Sequence, residues 1–325
     1  MTVPPPSRRL SRLAAGTALA LLLGGTVHPA SAEAEPMGVL REEALTLVNR
    51  DRAAGGLPAL FRDTRLDEAA QRHAADMLQR NYVEHVSPEG RTPMDRYVAA
   101  GGKTTEAVAE NIAACERCPP PDADQLARFE TGWMNSPGHR HNLLGAGFER
   151  FGFGAAADSG GRLYAVQLFA GPGEPRRAEG APPPLPLEAD AQLKLIVALA
   201  NQRRATLSLP PLQRSAALSI AAGRLVLRRT GEALAGVGDI PSDEVLGVLP
   251  GEDRGRWQAM SLLVGECGGC GRVPTDADLR FFGERWLGSD RSGGLLDPEA
   301  THLGFALSVD GAGKKTALAV IGIGR

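Results

Sequence analysis

"LVNRDRAAGGLPAL", residues 47–60, reads as the end of an amphipathic helix, a Gly-Gly stop and a Leu-Pro exit. The chain carries a second version of it, "LANQRRATLSLPPL", residues 199–212, which lies 152 residues further on. At the same offset Cys115 and Cys118 match Cys267 and Cys270, and "FGF" from Phe151 matches "LGF" from Leu303. Three separate anchors at one spacing predict two copies of one fold. The 325 residues leave room for two domains of ordinary size. Between the copies runs "GPGEPRRAEGAPPPLPLEADA", residues 171–191. Its proline and glycine favour extended backbone and bury no core, so it reads as a linker.

Periodicity gives the coarse structure of a copy. "LREEALTLVNRDRAAGG" places Leu40, Ala44, Leu47 and Val48 on one stripe before a glycine pair, the pattern of a helix with its stop. "DTRLDEAAQRHAADMLQRN" carries Leu66, Ala69, Ala70, His73, Ala74 and Met77 on one face, a second helix. "TPMDRYVAAGG" has Thr92 as cap, Pro93 as first residue and Gly101 as stop, a short third. "DADQLARFETGWM" is a fourth. "RFGFGAAA" and "RLYAVQLFA" alternate and are joined by "DSGG", an antiparallel hairpin, and "EAVAENIAA" predicts a further strand. Helices and antiparallel strands without regular alternation imply an α+β fold.

The beginning of the chain reads as an export signal. Arg8, Arg9 and Arg12 precede an apolar run from Leu13 to Val27, and Ala30-Ser31-Ala32 has the form of a cleavage site. The run is too short to span a membrane. The predicted organisation is therefore a signal peptide over 1–32, a first domain over 33–171, a linker over 172–190 and a second domain over 191–325, in a secreted or periplasmic protein. The formal net charge of −2 gives no basic excess to attract nucleic acid or an anionic membrane. Only 5% of residues are aromatic, too few to build stacking platforms for bases.

Four positions carry the chemistry. In "WMNSPGHRHNLL", residues 133–144, Ser136 and Pro137 open a helix and His139 falls in its first turn. The positive end of the helix dipole disfavours imidazolium there, and a neutral imidazole suits a metal or a proton-accepting role. His141, two residues on, faces nearly the opposite side, so at most one of the pair enters a given pocket. His141 reads as surface; for His139 surface and pocket both stand. His85 lies in the loop "NYVEHVSPEGRTP", where function and simple solvation are both open. His73 reads as a core histidine with one hydrogen bond. Glu110 is an acid in an otherwise apolar strand, where an unpaired charge is costly, so it should find a partner such as a histidine. A His/Glu/His set suits a divalent metal such as zinc, with His85 and His139 as ligands, although no short ligand spacing is present.

In their order along the chain, "LVNRDRAAGGLPAL", "HAADM", "EHVSPEGRTPMDR", "AENIAA", "WMNSPGHRHNLL" and "GFGAA…YAVQLF" resemble the CAP superfamily. This is the group of cysteine-rich secretory proteins, antigen 5 and pathogenesis-related 1, whose unit is also called the SCP domain; the likeness is to its bacterial branch and spans residues 37–171. The resemblance implies an α-β-α sandwich with a central antiparallel sheet between helical layers, and two such sandwiches in tandem. It also implies a cleft with two histidines and two acids. "EHVSPEG" supplies His85, "AENIA" supplies Glu110 and "SPGHR" supplies His139. Ser136 stands where animal and plant members have the second acid, and Ala109 replaces the glycine usual before Glu-Asn.

The second copy keeps the scaffold and loses the site. At the common offset His73 becomes Leu225, His85 becomes Val237 and Glu110 becomes Leu262, while His139 falls at Arg291 or Ser292. Sliding Glu266 into the Glu110 position would break the cysteine anchors. His302, the remaining histidine of this copy, reads as a solvated loop residue. The cysteines form two C-x-x-C pairs. Export favours the disulfides Cys115–Cys118 and Cys267–Cys270, each stabilising modestly because its loop is short. A four-cysteine zinc site between the copies is the alternative.

Two functions compete. One is a secreted binding or interaction module using the His85, Glu110 and His139 cleft for a small hydrophobic ligand or an extracytoplasmic protein, as the resemblance implies. The other is a hydrolase in which the histidines hold a metal or activate water while Glu110 orients one imidazole. No G-x-S-x-G elbow is present.

Overall fold

The computed structural model describes residues 36–177, 182–229, 242–288 and 294–325. The expected signal peptide and the positions Val237, Arg291 and Ser292 lie outside the described residues.

Helix α1 (Met37–Ala54) buries Leu40, Ala44, Leu47 and Val48, the stripe expected from its spacing. The two-residue strand β1 (Phe61–Arg62) leads to α2 (Thr64–Arg80). The Asp63 side chain caps α2 by accepting from the Arg65 N–H, and Asn81 in left-handed geometry ends it. Helix α3 (Pro93–Ala99) opens with a reciprocal capping box between Thr92 and Asp95. Strand β2 (Ala107–Cys115), helices α4 (Ala123–Asn135) and α5 (Pro137–Leu143), and the hairpin β3 (Arg150–Ala157) and β4 (Leu163–Gly171) follow. Ser136 occupies the cap position of α5 with Pro137 next, but its hydroxyl makes no capping bond; the sequence reading is corrected on that point.

The sheet order is β1-β3-β4-β2. β4 lies centrally, antiparallel to β3 and β2, and every one of its residues is buried. Its alternate side chains feed two separate cores, as a pleated strand requires. Leu163, Ala165 and Phe169 join α1, α4 and α5 on one face; Tyr164, Val166 and Leu168 join α2 and Tyr97 on the other. Helices therefore cover both faces, as expected. The short β1, absent from the sequence reading, adds a parallel pair with β3 to the antiparallel set. Gly152 lets α2 sit down on the sheet, because a Cβ there would come within 2.3 Å of the Leu66–Asp67 backbone.

The remaining elements are α6 (Ala189–Thr206), β5 (Gln213–Arg214), α7 (Ala216–Arg229), α8 (Ser242–Val248), β6 (Trp257–Cys267), α9 (Asp276–Leu287), β7 (His302–Val309) and β8 (Lys315–Gly324). Their sheet has the order β5-β7-β8-β6, with β5 again parallel to β7 and the rest antiparallel. Two cores again lie on its two faces. Counterpart contacts recur at the 152-residue spacing. Arg52, fully buried, donates to the carbonyls of Pro58, Leu143 and Gly145; Arg204, equally buried, donates to those of Pro210, Leu295 and Asp297. Each guanidinium closes a loop whose carbonyls would otherwise be buried without a donor.

The Pro-rich stretch docks onto the second sheet's helices. Gly173 bridges to Cys270 and Pro186 to Thr275, while the Leu187 N–H donates to the Pro274 carbonyl at 2.9 Å. The Cys267–Cys270 loop, "CGGC", also packs against the start of β2. The Gly269 N–H donates to the Thr105 carbonyl at 2.8 Å, and a Cβ on Gly269 would meet Ala107 at 3.0 Å. Arg272 donates to Glu149 nearby at 2.8 Å. Both cysteine pairs are disulfide-bonded within their own loops, which leaves no thiol for the four-cysteine zinc alternative. His302 is corrected: it opens β7, stands half-buried with its ring edge-on to Trp257 at 5.2 Å, and bonds to Thr301 Oγ1.

Candidate functional site

β2 places Glu110 opposite Leu168 of the central strand, so its carboxylate enters the protein and ends 1% exposed. Burial of a bare carboxylate would cost several kcal/mol, on the order given by buried-ion measurements, and two donors meet it. The His85 Nδ1–H donates to Glu110 Oε1 at 2.9 Å from the loop between α2 and α3. The Arg96 guanidinium donates to Glu110 Oε2 at 2.6 Å from α3 and, with the same nitrogen, to the His85 carbonyl at 3.0 Å. The capping box at Thr92 is what starts α3 where Arg96 can do this. Arg96 thus fixes both the acid and the loop that carries the histidine.

Because Nδ1 of His85 is spent on the carboxylate, its Nε2 is the nitrogen left for the solvent side, and the ring is 49% exposed. The Glu110 hydrogen bond holds the His85 imidazole above the usual histidine value, against burial and the opposing charge of Arg96. His139, half-buried on α5, is moved the other way, by burial first and then by the positive charge of His85. His73 is the core histidine expected: its Nε2 lies 2.9 Å from the Glu84 carbonyl and it is 1% exposed. It also lies 3.9 Å from Glu110 Oε1, beneath the site, and burial keeps it neutral.

Helix α5 is tied to β2 by amides. Asn142 Nδ2 donates to the Glu110 carbonyl and to Asn111 Oδ1; Asn111 Nδ2 donates to the His139 carbonyl and to Gln167 Oε1; Gln167 Nε2 donates to Glu130 Oε2 at 2.7 Å. The chain of bonds runs through the sheet to α4. Glu130 at its end is 1% exposed, and burial pushes its carboxyl up to about 7. His141 is exposed, as read from its helical spacing. Ser136 is half-buried at the α4–α5 junction, and among the described residues its hydroxyl makes no hydrogen bond to His85, Glu110 or His139.

The structure therefore joins His85 directly to Glu110 and ties the His139 carbonyl to Asn111, the residue after Glu110 on β2. Sequence reading missed Arg96, Asn111 and Asn142. Arg96 had a signal, since an acid in an apolar strand demands a cation and "TPMDR" offers one. As for metal, both Glu110 oxygens are occupied by donors, and among the described residues no set of three or more His, Cys, Asp or Glu is placed to hold an ion. These side chains do not fit a protein-ligated zinc centre.

The first sheet, with helices on both faces, has the layered architecture that the resemblance implies. Residues 45–169 match the model of the cysteine-rich secretory protein family, CAP, and over that stretch the chain is similar to the family. Among its relatives are the uncharacterized protein YkwD and the uncharacterized membrane protein YlbC, both of Bacillus subtilis (strain 168). YkwD is 32% identical over 113 residues, 35% of this chain and 41% of that protein. YlbC is 34% identical over 128 residues, 39% of this chain and 33% of that protein. The chain thus spans less than half the length of these curated relatives. An extracellular protein containing a SCP domain from Bacillus anthracis str. Ames is 31% identical in its crystal structure. The match covers 41% of this chain and 40% of that one, with a TM-score of 0.33. No helix among the described residues is long and apolar enough to cross a membrane.

Proposed function

We propose that this is an exported binding module that uses the cleft around His85, Glu110, Ser136 and His139 in a first domain over residues 33–171. It follows a signal peptide over 1–32 and precedes a linker over 172–190. A second domain over 191–325 is a copy of the same fold that lacks the cleft. The observation that carries the reading is the state of Glu110: buried, and saturated by Arg96 and His85. A carboxylate so engaged orients His85. The cleft offers a fixed imidazole nitrogen and a neutral second imidazole, a hydrogen-bonding end for a small hydrophobic ligand or a partner's side chain.

The second reading, a hydrolase, is favoured by one feature: the His85–Glu110 bond has the geometry of a base and its orienting acid. One experiment separates them. Mature protein is purified from an exporting host, its small molecules are extracted for mass spectrometry, and hydrolysis of casein and peptidoglycan is assayed beside it. A co-purifying ligand that disappears in His85→Ala/His139→Ala, with hydrolysis at background, is expected. Hydrolysis that disappears in Glu110→Ala would instead establish the enzyme.

A further inference from the structure

Arg96 and His73, which flank Glu110, also line a second cavity of about 450 Å³ between α2, the following loop and α3. None of His85, Glu110 and His139 lines it. Four guanidiniums converge there from three chain segments: Arg72 and Arg80 from α2, Arg91 from the loop and Arg96 from α3. Two acids share the wall, Asp76 and Glu89, and both are engaged by Arg80. Asp76 also accepts from the Tyr82 hydroxyl, and Glu89 accepts from Ser87 Oγ at 3.1 Å. Arg72 pairs with Glu68 only at the surface, where such pairs contribute little. Arg91 is exposed, and its guanidinium makes no hydrogen bond or ion pair among the described residues. Arg96 is 9% exposed on its side chain, and its Nε is buried with no partner.

We propose that this cavity binds a small organic oxyanion, a carboxylate or a phosphomonoester, held by Arg91 at the mouth together with Arg72 and Arg96. A guanidinium fork matches two oxygens of either group, and its planar donors favour this over a point-charge contact. The volume falls in the range of small-molecule sites, roughly 300–1,000 Å³, and exceeds what a bare inorganic anion fills, so the ligand carries an organic body. The site stands apart from the cleft, and the inference does not depend on the function proposed for it. Arg96 nevertheless connects the two, because its Nη2 holds both Glu110 and the His85 carbonyl, while its Nη1 donates to the Arg91 carbonyl.

The test is calorimetric titration of the full chain at low salt with citrate, with glucose 6-phosphate and with glucose. Saturable one-site binding of at least one anion is expected, weakening as salt is added, with no binding of glucose. Arg91→Gln should weaken it about tenfold or more, while Arg91→Lys should lose less. Which anion binds distinguishes a carboxylate from a phosphate ligand. Arg91 is exposed and unbonded, so its variants should melt with the parent chain; Arg72→Gln is the second variant should Arg91→Gln melt early. No saturable heat with either anion would overturn the proposal. So would equal affinity in the wild type and in the folded Arg91→Gln and Arg72→Gln variants.

Discussion

The amino-terminal and carboxy-terminal halves share a sheet order, a pair of buried arginine staples and a disulfide loop, yet each buries an ion pair that the other lacks. In the first half it lies on β2, where Glu110 meets His85 and Arg96 and a histidine ring reaches the surface. In the second half the register puts Leu262 opposite Val320, the strand position that Glu110 and Leu168 hold in the first. There the buried charge is Lys315 against Asp278, at 2.5 Å, sealed between β8 and α9. Lys315 is 0% exposed and its ammonium also donates to the Val273 carbonyl at 2.7 Å. The positions 152 residues earlier are Leu163 and Leu126, both buried. One scaffold thus accepts either an ion pair or two leucines at a single core site. The Glu110 cluster lies where a ligand could reach the His85 ring, and the Lys315–Asp278 pair lies where none can.

The largest effect tests that interchange. Lys315→Met alone leaves Asp278 buried without its cation and should destabilise the chain by about 3–5 kcal/mol in urea unfolding. Lys315→Leu with Asp278→Leu, the first half's solution, should be neutral or more stable by about 1–4 kcal/mol. If the double variant is as unstable as the single, the two cores are less alike than their register implies.

A second effect belongs to the first half alone. Glu130 is raised from its ordinary 4.5 to about 7 by burial, with Asp51 adding to the rise. The folded state holds the proton more tightly than the unfolded chain does. Its contribution is complete below about pH 4.5 and is lost as pH rises through about 7, a change of about 3 kcal/mol. Glu130→Gln should flatten that segment of a stability-versus-pH curve measured by denaturant titration. An unchanged curve would mean that the carboxyl is not the group responsible.

The smallest effect concerns the cysteines. A four-residue loop restricts the unfolded chain little, so replacing either pair by serine should cost at most about 2 kcal/mol on the loop-entropy scale. The comparison sharpens here. Glu116 and Arg117 in the first loop are exposed, whereas Gly268 and Gly269 in the second pack on Thr105 and Ala107. Loss of Cys267–Cys270 should therefore lower the melting temperature more than loss of Cys115–Cys118.

Much of this was legible in the residues. The helical stripes of α1 and α2, the Thr92 cap and the β3–β4 hairpin follow from local chemistry, and the structure reproduces them. Glu110 was legible for a different reason: a lone acid in an apolar strand has to find a cation or a donor. Arg96 was not assigned, because spacing along the chain does not say which of several arginines a buried acid will meet. β1 escaped notice because two residues have no period to detect. His302 was misread because its contact, the Trp257 ring, lies 45 residues away in sequence. The docking of the Pro-rich segment was hidden likewise: several of its bonds are backbone bonds, made to carbonyls and amides that any residue carries.

The CGGC loop has a consequence for how such a chain could be rearranged. Its two glycines press close to the neighbouring strand, with only 3.0–3.3 Å between an imagined Cβ and the atoms of Thr105 and Ala107. The corresponding loop of the first half carries glutamate and arginine and could not take that seat. The halves are therefore not interchangeable in order: a chimera of two amino-terminal halves would lose the contact that seats one upon the other.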